Sequence, residues 1–161
     1  MDFLYTADRE RYRRMTTSEL RDSYLIDNMF VDGEVTLCYT DVERSIVGSA
    51  VPVGGTLTLP KHKELAADYF AQRREIGVIN IGQAGSIVVD GETYEMDNRD
   101  SLYIGRGSRE IEFSSASASD PARFYFVSYP AHKEYPTKLV KKDQANRLKM
   151  GSMEECNDRV I

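Results

Sequence analysis

Hydrophobic and polar positions alternate with a period of two along most of the chain, in short runs separated by turn-forming residues. Residues 73–107 show this most clearly, with apolar runs at 77–81, 86–89 and 101–104. Asp90-Gly91 separates a pair of apolar stretches, and this dipeptide favours a tight hairpin turn because glycine adopts positive φ without strain. The segment therefore predicts a series of antiparallel hairpins.

Similar runs elsewhere bring the total to roughly nine short strands, which is typical of an all-β sandwich or barrel. A parallel α/β protein would need recurring long helices between its strands, and the pattern contains none. One short helix is expected, because Thr16 and Glu19 form a capping-box pattern ahead of Leu20 and Tyr24. The further runs with strand alternation are 34–39, 45–51, 56–59, 109–113 and 122–129.

The chain divides into three predicted parts. Residues 1–28 form a polar N-terminal arm with the short helix, and residues 29–139 form the β-barrel. Residues 140–161 are predicted to be a linker, because the chain becomes polar and loses its periodicity there. Within the barrel, residues 61–72 fit helical and strand spacing equally, so their structure stays open. A chain of this length can bury a core of its own.

Composition narrows the class of partner. Hydrophobic residues make up 41% and charged residues 29% of the chain, ordinary values for a globular protein. The net charge of −5 argues against nucleic acid, whose phosphates require clustered Lys and Arg. No apolar run approaches the length of a membrane helix, and a secretory signal is absent, so a cytoplasmic protein is expected. Cys38 and Cys156 are expected to be reduced thiols.

The two histidines, His62 and His132, give no pattern of metal ligands. Zinc sites in β-barrels draw on converging His and carboxylate side chains, and this chain has no His-x-His pair. His62 is expected to be a solvated side chain. His132 is the better functional candidate, because Pro130 and Pro136 restrict the loop around it.

Arg73 and Arg74 open the central segment. Successive strand residues point to opposite faces, so one of these arginines should face the barrel interior or a partner. A guanidinium fork matches a carboxylate, which a sugar acid would supply. The competing interpretation is an internal ion pair of Arg74 with Glu75 or Asp100.

Residues 69–82 resemble the N-terminal half of the 5-keto-4-deoxyuronate isomerase family, and the resemblance extends over nearly the whole chain. Further matching runs are 46–48, 88–91, 99–100, 103–105, 130–132 and 135–138. The candidate substrate-binding or interface residues are Arg73, Arg74, Glu75, His132, Tyr135 and Lys138.

The resemblance implies a cupin-like barrel that is one half of a bicupin, in a hexameric enzyme of pectin and uronate breakdown. The family interconverts 5-dehydro-4-deoxy-D-glucuronate and 3-deoxy-D-glycero-2,5-hexodiulosonate, an aldose–ketose isomerisation. Its zinc is held in the C-terminal barrel by a His-x-His pair, a Glu and a more distant His. Overlaying that stretch on Arg73-Arg74 puts Tyr69, Ala71 and Ile76 at ligand positions, and none of these binds zinc. Residues 1–161 are therefore expected to hold neither zinc nor a catalytic residue.

The expected function is thus the N-terminal barrel of an isomerase that acts on a sugar acid. Two alternatives stay open. The chain could be a non-catalytic module that binds a uronate through Arg73 or Arg74, or a structural domain that forms an oligomer interface.

Overall fold

The computed structural model describes residues 1–160, and their regular secondary structure is mainly β-strand, as the alternation predicted. The helices are short: α1 (Arg9–Tyr12), α2 (Thr17–Tyr24) and single 3₁₀ turns at Val42–Arg44, Lys63–Leu65, Phe70–Gln72 and Lys142–Gln144. The strands in chain order are β1 (Asp2–Leu4), β2 (Val35–Thr40), β3 (Ile46–Ala50), β4 (Leu57–Thr58), β5 (Arg74–Asn80), β6 (Gly85–Val89), β7 (Glu92–Met96), β8 (Ser101–Ile104), β9 (Ile111–Ser115), β10 (Phe124–Pro130), β11 (Lys138–Val140), β12 (Lys149–Met150) and β13 (Arg159–Val160).

Two sheets enclose the core. The larger has the strand order β1-β2-β3-β10-β5-β8-β11, and the smaller has the order β4-β9-β6-β7. Neighbouring strands pair antiparallel, except that β1 runs parallel to β2. The predicted all-β, cupin-like barrel or sandwich with little helix is confirmed.

Aromatic side chains join the two sheets. Phe113 of β9 stacks on Phe126 of β10 with ring centroids 5.9 Å apart, and it meets Phe124 at 5.5 Å. All three rings are fully buried, and burial of each such side chain contributes about 1.5–3 kcal/mol. Gly48 makes room for them, because a Cβ there would overlap the ring of Phe126. The core therefore fixes how β3, β9 and β10 face each other.

The predicted series of hairpins in residues 73–107 is correct at the turn between β6 and β7 and wrong at the connections before β6 and after β7, which pass between the two sheets. Asp90 and Gly91 both have positive φ, +50° and +87°, and join β6 to β7 as predicted. By contrast, β5 pairs with β10 and β8, whereas β6 belongs to the other sheet. The turn at 82–85 carries the chain between the sheets, and Gly82 lies too close to the backbone of residues 121–123 to admit a Cβ.

The N-terminal arm contributes its strand β1 to the larger sheet. β1 pairs with β2 at one edge of the larger sheet. The capping box that begins α2 is confirmed, since Thr16 Oγ1 accepts from the Glu19 N–H and Glu19 Oε2 accepts from the Thr16 N–H. Residues 61–72 form two 3₁₀ turns, Lys63–Leu65 and Phe70–Gln72, rather than a regular helix or strand.

The C-terminal region attaches to the opposite edge. β11 pairs with β8, and the short hairpin β12–β13 lies within residues 140–161. The division of the chain into arm, barrel and linker stays a prediction. Within the part of the chain that the structure describes, no helix has the length and apolar character that membrane crossing requires.

Candidate functional site

A cleft of about 330 Å³ opens at the end of the larger sheet where β5 begins and β10 ends. We call it the arginine cleft, because Arg44, Arg73 and Arg74 line it. Its other walls include Tyr39, Phe70 and Pro130. Residues from β2, β5, β10 and three 3₁₀ turns thus meet at one point.

One of the two consecutive arginines is buried, as predicted, but only Arg74 belongs to the strand and both line the same cleft. Arg74 is the first residue of β5, and its side chain lies on the buried face with Ile76, at 7% exposure. Arg73 precedes the strand, closes the 3₁₀ turn Phe70–Gln72 and is exposed. Its carbonyl accepts from the Ala131 N–H at 2.9 Å. This hydrogen bond therefore holds the 3₁₀ turn Phe70–Gln72 against the end of β10.

The Arg74 guanidinium is held by neutral oxygen atoms. Its Nε donates to Ser128 Oγ at 3.1 Å, and its Nη2 donates to the carbonyl oxygens of Ser128 and Arg44, each at 2.7 Å. Burial lowers the pKa of Arg74 to about 10; nearby Tyr39 opposes this shift and the charge of Arg44 adds to it.

The competing interpretation, an internal ion pair of Arg74 with Glu75 or Asp100, is wrong. Glu75 follows Arg74 in β5 and so lies on the opposite face, where its Oε2 accepts from the Tyr103 hydroxyl at 2.9 Å. Asp100 bonds to Lys141 Nζ at 2.9 Å instead.

Arg44 is a site residue that the sequence analysis missed. It lies in the 3₁₀ turn Val42–Arg44 and, like Glu43 before it, has positive φ: +51° and +54°. Left-handed backbone at residues other than glycine costs about 1 kcal/mol each. The turn presents the Arg44 carbonyl to Arg74, 30 residues away in sequence. No local pattern in the sequence marks this contact.

The structure separates the six predicted site residues. Arg73 and Arg74 share the arginine cleft, and Glu75 bonds to Tyr103 on the other face. Burial, the Glu75 hydrogen bond and the proximity of Tyr135 raise the pKa of Tyr103 to about 12. The remaining candidates, His132, Tyr135 and Lys138, are exposed, and Lys138 is the first residue of β11.

The three positions that would hold zinc do not fit a metal. Ala71 and Ile76 are 0% and 1% exposed and pack in the hydrophobic core. Tyr69 instead lies under the guanidinium of Arg109, 5.2 Å from the ring centroid. Among residues 1–160, no three His, Cys, Asp or Glu side chains converge in a way that could hold a metal ion.

Three comparisons bear on the family. The KduI/IolB family profile matches residues 25–161. The chain is 44% identical to the 4-deoxy-L-threo-5-hexosulose-uronate ketol-isomerase of Halalkalibacterium halodurans and 45% identical to that of Lachnoclostridium phytofermentans. Each match covers 100% of this chain and 58% of the relative, so the chain spans little more than half of their length.

A solved structure agrees with the fold. An IolB-like protein from Salmonella typhimurium superposes with a TM-score of 0.54 at 16% identity, over 72% of this chain and 42% of that one. The resemblance to the uronate isomerases that the sequence indicated is confirmed by the named relatives.

Proposed function

The chain belongs to the KduI/IolB family, and we propose from this premise that it is the N-terminal barrel of a uronate ketol-isomerase. The observation that supports the proposal is identity of 42–45% over all 161 residues to three relatives named 4-deoxy-L-threo-5-hexosulose-uronate ketol-isomerase. The proposed substrate pair is 5-dehydro-4-deoxy-D-glucuronate and 3-deoxy-D-glycero-2,5-hexodiulosonate.

The proposed reaction moves hydrogen between a carbonyl carbon and its hydroxyl-bearing neighbour. It needs no external oxidant, but it needs a general base or a Lewis acid on the carbonyl. The arginine cleft supplies cations, and Glu64 is the carboxylate among its lining residues. The ligand positions carry Ala71 and Ile76, so the proposal assigns zinc and the chemistry to the portion of the relatives that this chain does not span.

A bicupin hexamer in the cytoplasm is the proposed setting. Support for an assembly comes from the outer face of the larger sheet, where a second, shallow cleft of about 350 Å³ is lined by Ile79, Tyr103, Tyr125 and Val140. Exposed apolar patches of this kind mark protein contacts. Light scattering on the native protein is expected to give a mass well above that of one chain, and a monomer would contradict the assembly.

The reading frame that follows the codon for Ile161 tests the proposal that the zinc ligands lie outside this barrel. We expect it to encode a His-x-His pair followed closely by Glu. A frame without these ligands would overturn the isomerase proposal.

A turnover assay gives an independent check. Conversion of the uronate, followed by NMR, is expected to be undetectable with the 161-residue chain and rapid with the Halalkalibacterium relative as the positive control. Turnover by the chain alone, with stoichiometric zinc after a chelator wash, would contradict the proposal. A non-catalytic uronate-binding module is the second candidate, and the observation that favours it is the arginine cleft.

A further inference from the structure

Arg74 is a buried cation with no counter-charge within hydrogen-bonding distance. Its partners, Ser128 Oγ and the carbonyl oxygens of Ser128 and Arg44, are all neutral. A buried charge is stable when it is paired or when it coordinates an ion, since removal of its hydration is otherwise uncompensated. The neutral oxygens satisfy hydrogen bonds but leave the charge itself unbalanced.

One nitrogen of this guanidinium has no hydrogen-bond partner among residues 1–160. Nε and Nη2 make the three hydrogen bonds, and Nη1 makes none to residues 1–160. In the same part of the chain, no fully enclosed side-chain nitrogen or oxygen lacks a hydrogen-bond partner. Nη1 is therefore accessible, and with Arg74 on the cleft wall its two N–H groups are available to a ligand there.

The other two arginines of the cleft also lack acidic partners. Within residues 1–160, no carboxylate oxygen lies within 4.0 Å of a guanidinium nitrogen of Arg44, Arg73 or Arg74. Glu64, the one acidic residue among those that line the cleft, lies 4.0 Å from His62, but burial lowers the pKa of His62, so this contact is not an ion pair at neutral pH. The three arginines thus share the cleft with one carboxylate, that of Glu64, and none of their guanidinium nitrogens lies within 4.0 Å of it.

The size and walls of the cleft limit the ligand. A volume of about 330 Å³ is at the lower end of the range for small-molecule sites. Phe70, Leu65 and Pro130 add apolar surface to the lining of the cleft. Apolar surface suits the C–H faces of a sugar ring, whereas inorganic phosphate would leave it in contact with water.

We propose that the arginine cleft binds the carboxylate of a monosaccharide acid, with Arg44 and Arg73 as bidentate donors and Arg74 Nη1 at the base of the site. The planar fork of arginine matches the two oxygens of a carboxylate. The choice of a uronate as the ligand rests on the proposed isomerase function. The cleft then acts as a second sugar-acid site, separate from the proposed zinc centre.

Titration of the 161-residue chain with D-glucuronate tests the proposal, with arginine side-chain Nε–H signals as the NMR readout. We expect the signals of Arg44, Arg73 and Arg74 to shift together and to saturate, with Kd on the order of 1 mM. D-Glucose, which lacks the carboxylate, is expected to cause no shift. Absence of saturable shifts with glucuronate would overturn the proposal, as would tighter binding of inorganic phosphate at the same signals.

Two substitutions localise the effect. Arg44→Gln and Arg73→Gln remove exposed charges without changing the core, and each is expected to weaken glucuronate binding about tenfold or more. Arg123→Gln is the matched control, because Arg123 is exposed and lies outside the cleft. Equal glucuronate affinity in all three variants would contradict binding in the arginine cleft.

The outcome of the binding experiment does not depend on whether the isomerase proposal is correct. Glucuronate binding by a chain whose downstream reading frame lacks the zinc ligands would overturn the isomerase function and support the cleft. Zinc ligands encoded downstream, without glucuronate binding by the chain, would support the isomerase function and overturn the cleft.

Discussion

Arg74 and Asp100 are two buried charges of the same sheet, at 7% and 2% exposure, that are satisfied in different ways. Asp100 Oδ2 accepts from the Asp97 N–H and from Lys141 Nζ, and its Oδ1 accepts from the Lys142 N–H. Arg74 has neutral oxygen partners alone. The charge of Asp100 is balanced by Lys141 within the chain, whereas the charge of Arg74 has no counter-charge among its partners.

The pKa values follow this difference. Burial raises the pKa of Asp100, but Lys141 and the backbone N–H groups of Lys142 and Asp97 outweigh burial and lower it overall. For Arg74, burial lowers the pKa to about 10, and no carboxylate restores it. An internally paired charge is a structural feature, whereas an unpaired one that borders a cleft indicates a ligand site.

The largest expected effect is that of Asp100→Asn. The substitution removes the counter-charge of Lys141 and weakens two backbone hydrogen bonds, so the free energy of unfolding should fall by about 2–4 kcal/mol. Urea denaturation measures it. Asp97→Asn is the control, because Asp97 is mostly exposed and 3.6 Å from Lys141, and its loss should cost less than about 0.5 kcal/mol. Equal losses in the two variants would show that burial does not distinguish these carboxylates.

The same contrast predicts a pH dependence. Because the folded protein holds the pKa of Asp100 below 3.8, the unfolded state binds this proton more readily. The stability that Asp100 contributes is thus fully present above about pH 4 and is lost as pH falls through the lower, folded-state value. Denaturation at a series of pH values should show the gap between wild type and Asp100→Asn narrowing below pH 4. A constant gap would contradict the assignment.

Arg74→Met tests the other half of the comparison. Three hydrogen bonds disappear, but so does an unbalanced buried charge, so the loss of stability should be smaller, about 1–3 kcal/mol. Saturating glucuronate should stabilise the wild-type protein against urea and leave Arg74→Met unchanged. If this variant lost as much stability as Asp100→Asn and still gained from glucuronate, Arg74 would be a structural residue only.

The smallest effect is expected for Glu75→Gln. Gln still accepts from the Tyr103 hydroxyl but carries no charge, so stability should change by less than about 1 kcal/mol, and the pKa of Tyr103 should fall from about 12 toward its ordinary value. A spectroscopic pH titration, with Tyr103→Phe to assign the signal, measures the shift. Glucuronate affinity should stay the same, because Glu75 lies on the opposite face from Arg74. Weakened binding would place Glu75 in the site.

Features encoded by neighbouring residues were predictable. Asp90-Gly91, the Thr16–Glu19 capping box and the burial of one of the two consecutive arginines each depend on residues at most three positions apart. β8 was predicted with both of its ends correct, since its alternation is bounded by turn residues on both sides.

Contacts between distant segments were not predictable. Arg44 reaches Arg74 across 30 residues, and Lys141 reaches Asp100 across 41. Both depend on the order of strands in the sheet, about which a turn such as residues 82–85 gives no information. Lys141 also belongs to a basic stretch that has the composition of solvated surface.

The larger sheet ends at both edges on strands of three residues, β1 and β11, which come from opposite ends of the described chain. The seven-residue β10 lies between β3 and β5 instead. Unpaired N–H and C=O groups at an open edge can recruit a strand of another molecule, and a short edge strand offers few of them. The arrangement therefore protects the larger sheet against edge-to-edge aggregation, because its longest runs of backbone donors and acceptors are already paired.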